Sequence, residues 1–152
     1  MQVREIGIVK EGIPLLNVEY SGTEESSVDY LSKSALISSL LQYAESIMAP
    51  VEYFESDKYS MIFKKGKMKS PNKSRDSNIF SYVIIDTQKD ISEKSKQKII
   101  DICNTILNEF LKRYNGVSTA EVGKFEEFKP FIDSALGDLT QSLDDKFSSL
   151  FF

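Results

Sequence analysis

Six basic residues, Lys64, Lys65, Lys67, Lys69, Lys73 and Arg75, fall in a stretch that holds no acidic residue. A run of this kind attracts anions rather than making bonds. Beside an anionic bilayer each such charge contributes about 1 kcal/mol near the surface. Nucleic acid is not the expected anion, because the run lacks interleaved aromatics on which bases stack and the whole chain carries −4. The expected contact is an anionic membrane or an acidic protein, and the plain alternative is a solvated hairpin loop. With the +6 of this stretch set aside, the remaining residues sum to −10, and Glu11, Glu19, Glu24, Glu25 and Asp29 are the only charges between positions 11 and 29. That separation of charge orients a partner during encounter.

Groups that make and break bonds are scarce. The chain has no histidine, which removes the commonest general base and metal ligand near neutral pH. Every Ser-His or Cys-His nucleophile pair goes with it. Cys103 is the single cysteine, so no internal disulfide forms. It stands between Ile102 and Ile106 in an apolar stripe and reads as a small buried hydrophobe. Glu126, Glu127, Asp133, Asp138, Asp144 and Asp145 have no defined pairing and read as a solvated helix face. No phosphate-binding glycine-lysine motif, dinucleotide fingerprint or metal-spaced cluster occurs. No catalytic, cofactor-binding or metal-binding residue is assigned, and the expectation is a protein that is not an enzyme. The enzymatic rival would need a lysine or a pair of carboxylates converging in a cleft.

Large apolar side chains supply the other candidate surface. Phe125, Phe128, Phe131 and Phe147 are expected to pack a terminal helix on the core, whereas Phe151 and Phe152 are candidates for an interface with a partner or second subunit.

The elements that position these groups follow from periodicity. With 152 residues, 41% hydrophobic and 28% charged, the chain fits one globular domain spanning 1–152. No apolar run is long enough to span a bilayer, and the first residues lead directly into strand-like sequence, so a cytoplasmic location, with peripheral membrane contact, is expected. Residues 3–20 read as a hairpin turning at Lys10-Glu11-Gly12, with Pro14 at the start of the second strand or facing an open edge. Leu36, Ile37, Leu40, Leu41, Ala44, Ile47 and Met48 repeat at helical spacing, which predicts a helix over 32–48 that Pro50 ends. Strands are expected over 51–55 and 59–64, then a mobile loop over 65–78, then a central strand over 78–86 buried on both faces. A long helix over 92–114 takes Ser92 or Asp90 as its cap and ends in left-handed fashion at Asn115-Gly116. A last helix runs over about 129–150, with Pro130 in its first turn.

The resulting order, β-β-α-β-β-β-α-α with a five-stranded antiparallel sheet under helices, resembles the longin domain family and its relatives in the roadblock and adaptor small-subunit group. The likeness is carried by Ile6-Gly7-Ile8-Val9-Lys10-Glu11-Gly12-Ile13-Pro14-Leu15, similar to that family's opening hairpin. Tyr53-Phe54 and Tyr59-Ser60-Met61-Ile62-Phe63 after a helix, and Ile84-Ile85-Asp86 before a long one, extend it over roughly 3–114. The resemblance implies a platform in membrane-trafficking or small-GTPase complexes, with no cofactor. Its partners would be a small GTPase or another longin- or roadblock-type subunit, in a homo- or hetero-oligomer. Longin SNAREs continue into a heptad segment with an anchor, whereas this chain stops at Phe152, so a complete SNARE is not expected. The alternative is a sensory domain of the PAS or GAF type, which also wraps helices around an antiparallel sheet and would enclose a small-ligand pocket.

Overall fold

Five stretches rich in β-branched and aromatic residues become strands: β1 (Val3–Lys10), β2 (Ile13–Glu19), β3 (Val51–Glu55), β4 (Tyr59–Lys69) and β5 (Asp76–Asp86). They form one sheet in the order β2-β1-β5-β4-β3, with every neighbouring pair antiparallel. A long helix, α1 (Glu93–Tyr114), follows β5; a 3₁₀ segment, Val122–Phe128, then leads into helical residues 129–137. The chain is therefore of the α+β class with an antiparallel sheet. The computed structural model describes residues 3–11, 13–20, 43, 51–55, 59–72, 75–87, 91–120 and 122–137. The helix expected over 32–48 lies outside the described residues except for Tyr43, which is helical and exposed.

β5 occupies the middle of the sheet because both of its faces are apolar. Ile79, Val83 and Ile85 join one buried cluster, and Phe80, Tyr82 and Ile84 join the other. α1 covers the first face with Ile99, Ile102, Cys103, Ile106, Leu107, Phe110 and Tyr114. This stripe recurs every three or four residues, which keeps it on one side over about 33 Å of helix. Ser81 also lies on this face, fully buried, and its hydroxyl donates to the Cys103 carbonyl at 2.7 Å. On the second face Val9, Tyr59, Met61, Phe63, Phe80, Tyr82 and Ile84 are buried together.

Local chemistry sets the ends of the elements. Ser92 caps α1, its hydroxyl accepting from the Ser95 amide at 3.1 Å, while Asp90 lies outside the described residues. At the other end the left-handed residue is Gly116, with φ +83°; Asn115 is extended. The β1–β2 turn places Glu11 at φ +48°, in the left-handed region. Pro14 is the second residue of β2, an edge strand, opposite a register shift at Ile8/Val9. A bulge on an edge is where a residue without an amide hydrogen is tolerated.

The last helix starts at 129, as its periodicity predicts, and residues 138–150 lie outside the described residues. The preceding 3₁₀ segment was not expected. Phe125 and Phe128 stand three apart, the spacing that eclipses on a 3₁₀ helix, and both are fully buried. Their rings meet Phe110 at 5.3 and 5.4 Å and Tyr114 at 5.0 and 6.1 Å, and Phe131 stacks 5.3 Å from Phe128. The terminal segment is thus packed on the end of α1 by aromatic contacts. Phe147, Phe151 and Phe152 lie outside the described residues.

Candidate functional site: the basic β4–β5 hairpin

The stretch expected to be a mobile loop over 65–78 is mostly paired strand. β4 continues to Lys69 and β5 begins at Asp76, with Lys65 opposite Phe80, Gly66 opposite Ile79, Lys67 opposite Asn78 and Lys69 opposite Asp76. Only residues 70–75 connect the two strands. The physical reason is the alternation Lys65-Gly66-Lys67-Met68-Lys69. Its even positions face α1, where Met68 is fully buried and Gly66 lies so close to Leu107 that a Cβ would stand 3.1 Å from Cδ2. Burying this side of the strand outweighs the cost of lining the other side with charge.

The same alternation sorts the basic residues. Lys65, Lys67 and Lys69 fall on the odd face shared with Phe63, about 6.6 Å apart along the strand. Lys64 falls on the even face with Ile62. Lys67 donates to the Asn78 side-chain carbonyl across the ladder. Arg75 turns away from the row and pairs with Glu11 of the β1–β2 turn at 2.7 Å. Lys73 lies outside the described residues. Five of the six basic residues therefore resolve into a row of three lysines, one half-buried lysine on the opposite face, and one arginine occupied by a carboxylate.

Arg75 also acts on its partner. Its hydrogen bond holds the Glu11 carboxyl below the usual range, with a second contribution from the Ser77 hydroxyl. The hairpin is anchored at the other side by α1. Asn115 Oδ1 accepts from the Lys69 amide at 2.6 Å, and the Gly116 amide donates to the Lys69 carbonyl at 3.0 Å. The helix end that Asn115-Gly116 forms is thus bound to the last residue of β4, which fixes the lysine row relative to the helix.

Other polar groups are structural. Cys103 is fully buried, its Sγ 3.6 Å from the Ile62 carbonyl, and burial pushes the thiol up to about 12. Glu5, only 2% exposed, accepts from the Tyr82 hydroxyl at 2.5 Å. Burial above all, and then the Glu5 carboxylate, push the Tyr82 phenol far above its ordinary value. Sequence reasoning missed this pair. The one available signal was Gly7, whose missing side chain makes room for the Tyr82 ring: a Cβ at position 7 would collide with it. Of the carboxylates read as a solvated helix face, Glu126 pairs with Lys129 at 2.7 Å, Glu127 accepts from Tyr114 at 2.8 Å, and Asp133 accepts from Tyr20. Asp138, Asp144 and Asp145 lie outside the described residues.

Among the described residues no group of three or more histidine, cysteine or acidic side chains is placed to hold a metal ion, and no helix is long and apolar enough to cross a membrane. No family model matches the sequence, and no curated protein matches it.

Proposed function

We propose that this chain is a longin-like protein-interaction platform that assembles or recruits a small-GTPase or membrane-trafficking-type complex. The observation that carries the reading is the strand order β2-β1-β5-β4-β3, with β5 central and a long helix leaving its end. An antiparallel sheet followed by a long helix supports the reading of the β-β-α-β-β-β-α-α order as longin-like. β3 lies at an edge of the sheet, and that edge, with the first helix expected over 32–48, is the contact surface the resemblance implies. An edge strand offers main-chain donors and acceptors to a partner's strand, so affinity arises without a pocket.

The lysine row Lys65, Lys67 and Lys69 supports a second contact of the same platform, with anionic lipid headgroups. Fixed to α1 through Lys69, the row would present its charge without first having to be ordered.

The test is direct binding of the immobilised full chain to small GTPases from the same cell, loaded with GDP or with a non-hydrolysable GTP analogue. Binding that depends on the nucleotide is the expected result. Failure with every GTPase in both states removes the GTPase reading.

A further inference from the structure

Of the four prolines in the chain, only Pro71 follows a hydroxyl residue; Pro14, Pro50 and Pro130 follow Ile13, Ala49 and Lys129. Ser70-Pro71 stands where β4 ends and the connection to β5 begins. Proline removes the amide hydrogen after Ser70 and biases Ser70 itself toward extended backbone. A protein-kinase cleft that binds its substrate extended, and offers no acceptor to the residue after the phosphorylated one, selects for that pair of properties. Pro71 and Asn72 are exposed. The Ser70 hydroxyl is engaged only locally, donating to Asn72 Oδ1 at 2.7 Å at the surface, a bond that water replaces at little cost.

We propose that Ser70 is a phosphoacceptor for a proline-directed Ser/Thr protein kinase, and that the basic hairpin receives the phosphate. In the step, Ser70 Oγ attacks the γ-phosphorus of ATP and a new P–O bond forms. The bond to the β,γ-bridging oxygen breaks, ADP leaves, and the hydroxyl proton passes to the carboxylate base of the kinase. The product carries about −1.5 to −2 charge near neutral pH. Lys69 precedes it in the chain, and the Arg75 carbonyl accepts from the Ser70 amide at 3.1 Å, which keeps Arg75 beside the modified residue. The Arg75 guanidinium is held by Glu11 in an exposed pair, from which a phosphate with more charge and three acceptor oxygens draws it. Modification also adds about −1.5 to −2 to the +6 of the run 64–75, so it weakens whatever anion contact the lysine row makes.

The full chain is incubated with magnesium-ATP and a purified proline-directed kinase, and its peptides are weighed by mass spectrometry. One phosphate on Ser70 is expected, absent from Ser70→Ala and lost from Pro71→Ala, in which Ser70 remains. No incorporation, incorporation at another residue, or undiminished incorporation into Pro71→Ala overturns the site. Phosphorus NMR titration then reads the cradle. The second ionisation of the phosphate lies lower in the phosphorylated wild-type chain than in phosphorylated Arg75→Ala; equal values overturn the cradle while leaving the acceptor in place.

Discussion

The Tyr82 hydroxyl donates to the Glu5 carboxylate at 2.5 Å while its ring lies over Gly7, so three residues on two neighbouring strands depend on one another. Gly7 makes the space, Tyr82 fills it, and Glu5 is kept satisfied although almost fully buried. Two substitutions separate these contributions. Gly7→Ala forces the ring aside, and overpacking of that kind costs about 1–3 kcal/mol. Tyr82→Phe keeps the ring but strips a buried carboxylate of a donor, a loss of about 1–3 kcal/mol. Both are read as a lower denaturant midpoint. If Gly7→Ala were as stable as the wild type, the contact between glycine and ring would not be a real constraint.

Cys103 is predicted to be inert in the native state. Its thiol is fully buried and held neutral, so a thiol-specific reagent at pH 8 reacts only as fast as the domain opens. Full reactivity on adding denaturant, against slow labelling without it, is the expected contrast.

Stability should fall on the alkaline side in two steps. Cys103, ordinarily near 9, and Tyr114, ordinarily near 10, are each raised to about 12, Cys103 by burial and Tyr114 by burial and then its bond to Glu127. A group raised on folding stabilises fully below its unfolded value and loses that contribution as pH climbs toward the folded one. The decline therefore begins above pH 9 from Cys103 and steepens above pH 10 from Tyr114, each by at most about 1.4 kcal/mol per pH unit. Cys103→Ala flattens the limb between 9 and 10, and Tyr114→Phe makes the part above 10 less steep, the remainder coming from the raised Tyr82 and Tyr20, as measured by urea unfolding across that range.

The helix-to-hairpin clamp gives a local prediction. Asn115→Ala removes the acceptor for the Lys69 amide and should cost about 1 kcal/mol. Hydrogen exchange at Lys69 and at the hairpin tip should accelerate more than exchange at the centre of β5. Uniform acceleration would mean that the clamp acts on the whole fold instead.

Binding to phosphatidylserine-containing vesicles should depend on position in the hairpin. Replacing Lys65, Lys67 and Lys69 together by alanine removes about 1 kcal/mol per charge. Arg75→Ala should have less effect, because that guanidinium is already matched by Glu11. Equal losses per charge removed would argue for a diffuse field in place of a row.

The apolar periodicity of the chain made much of this architecture legible. The stripe Ile99, Ile102, Cys103, Ile106, Phe110 and Tyr114 defines α1 to within a residue, and the run Ile79–Ile85, apolar except at Ser81, places β5 in the interior. Where charge and pattern conflicted, reading failed. Lys65-Gly66-Lys67-Met68-Lys69 has strand alternation, but its lysines and glycine resemble a loop, and only the packing of Met68 and Gly66 under α1 decides the matter. The Glu5–Tyr82 bond joins residues 77 positions apart, and no local signal reports such a pairing. The six basic residues were visible at once, but the division of Lys64, Lys65, Lys67 and Lys69 between two faces follows from the strand that carries them.

The hydrogen bond from Ser81 to the Cys103 carbonyl bears on how α1 can move against the sheet. An axial slide of α1 by one turn, about 5.4 Å, would strand the Ser81 hydroxyl in a dry interface and lift Leu107 away from Gly66. Piston-like motion of the helix would have to break this bond and give up the Leu107–Gly66 contact.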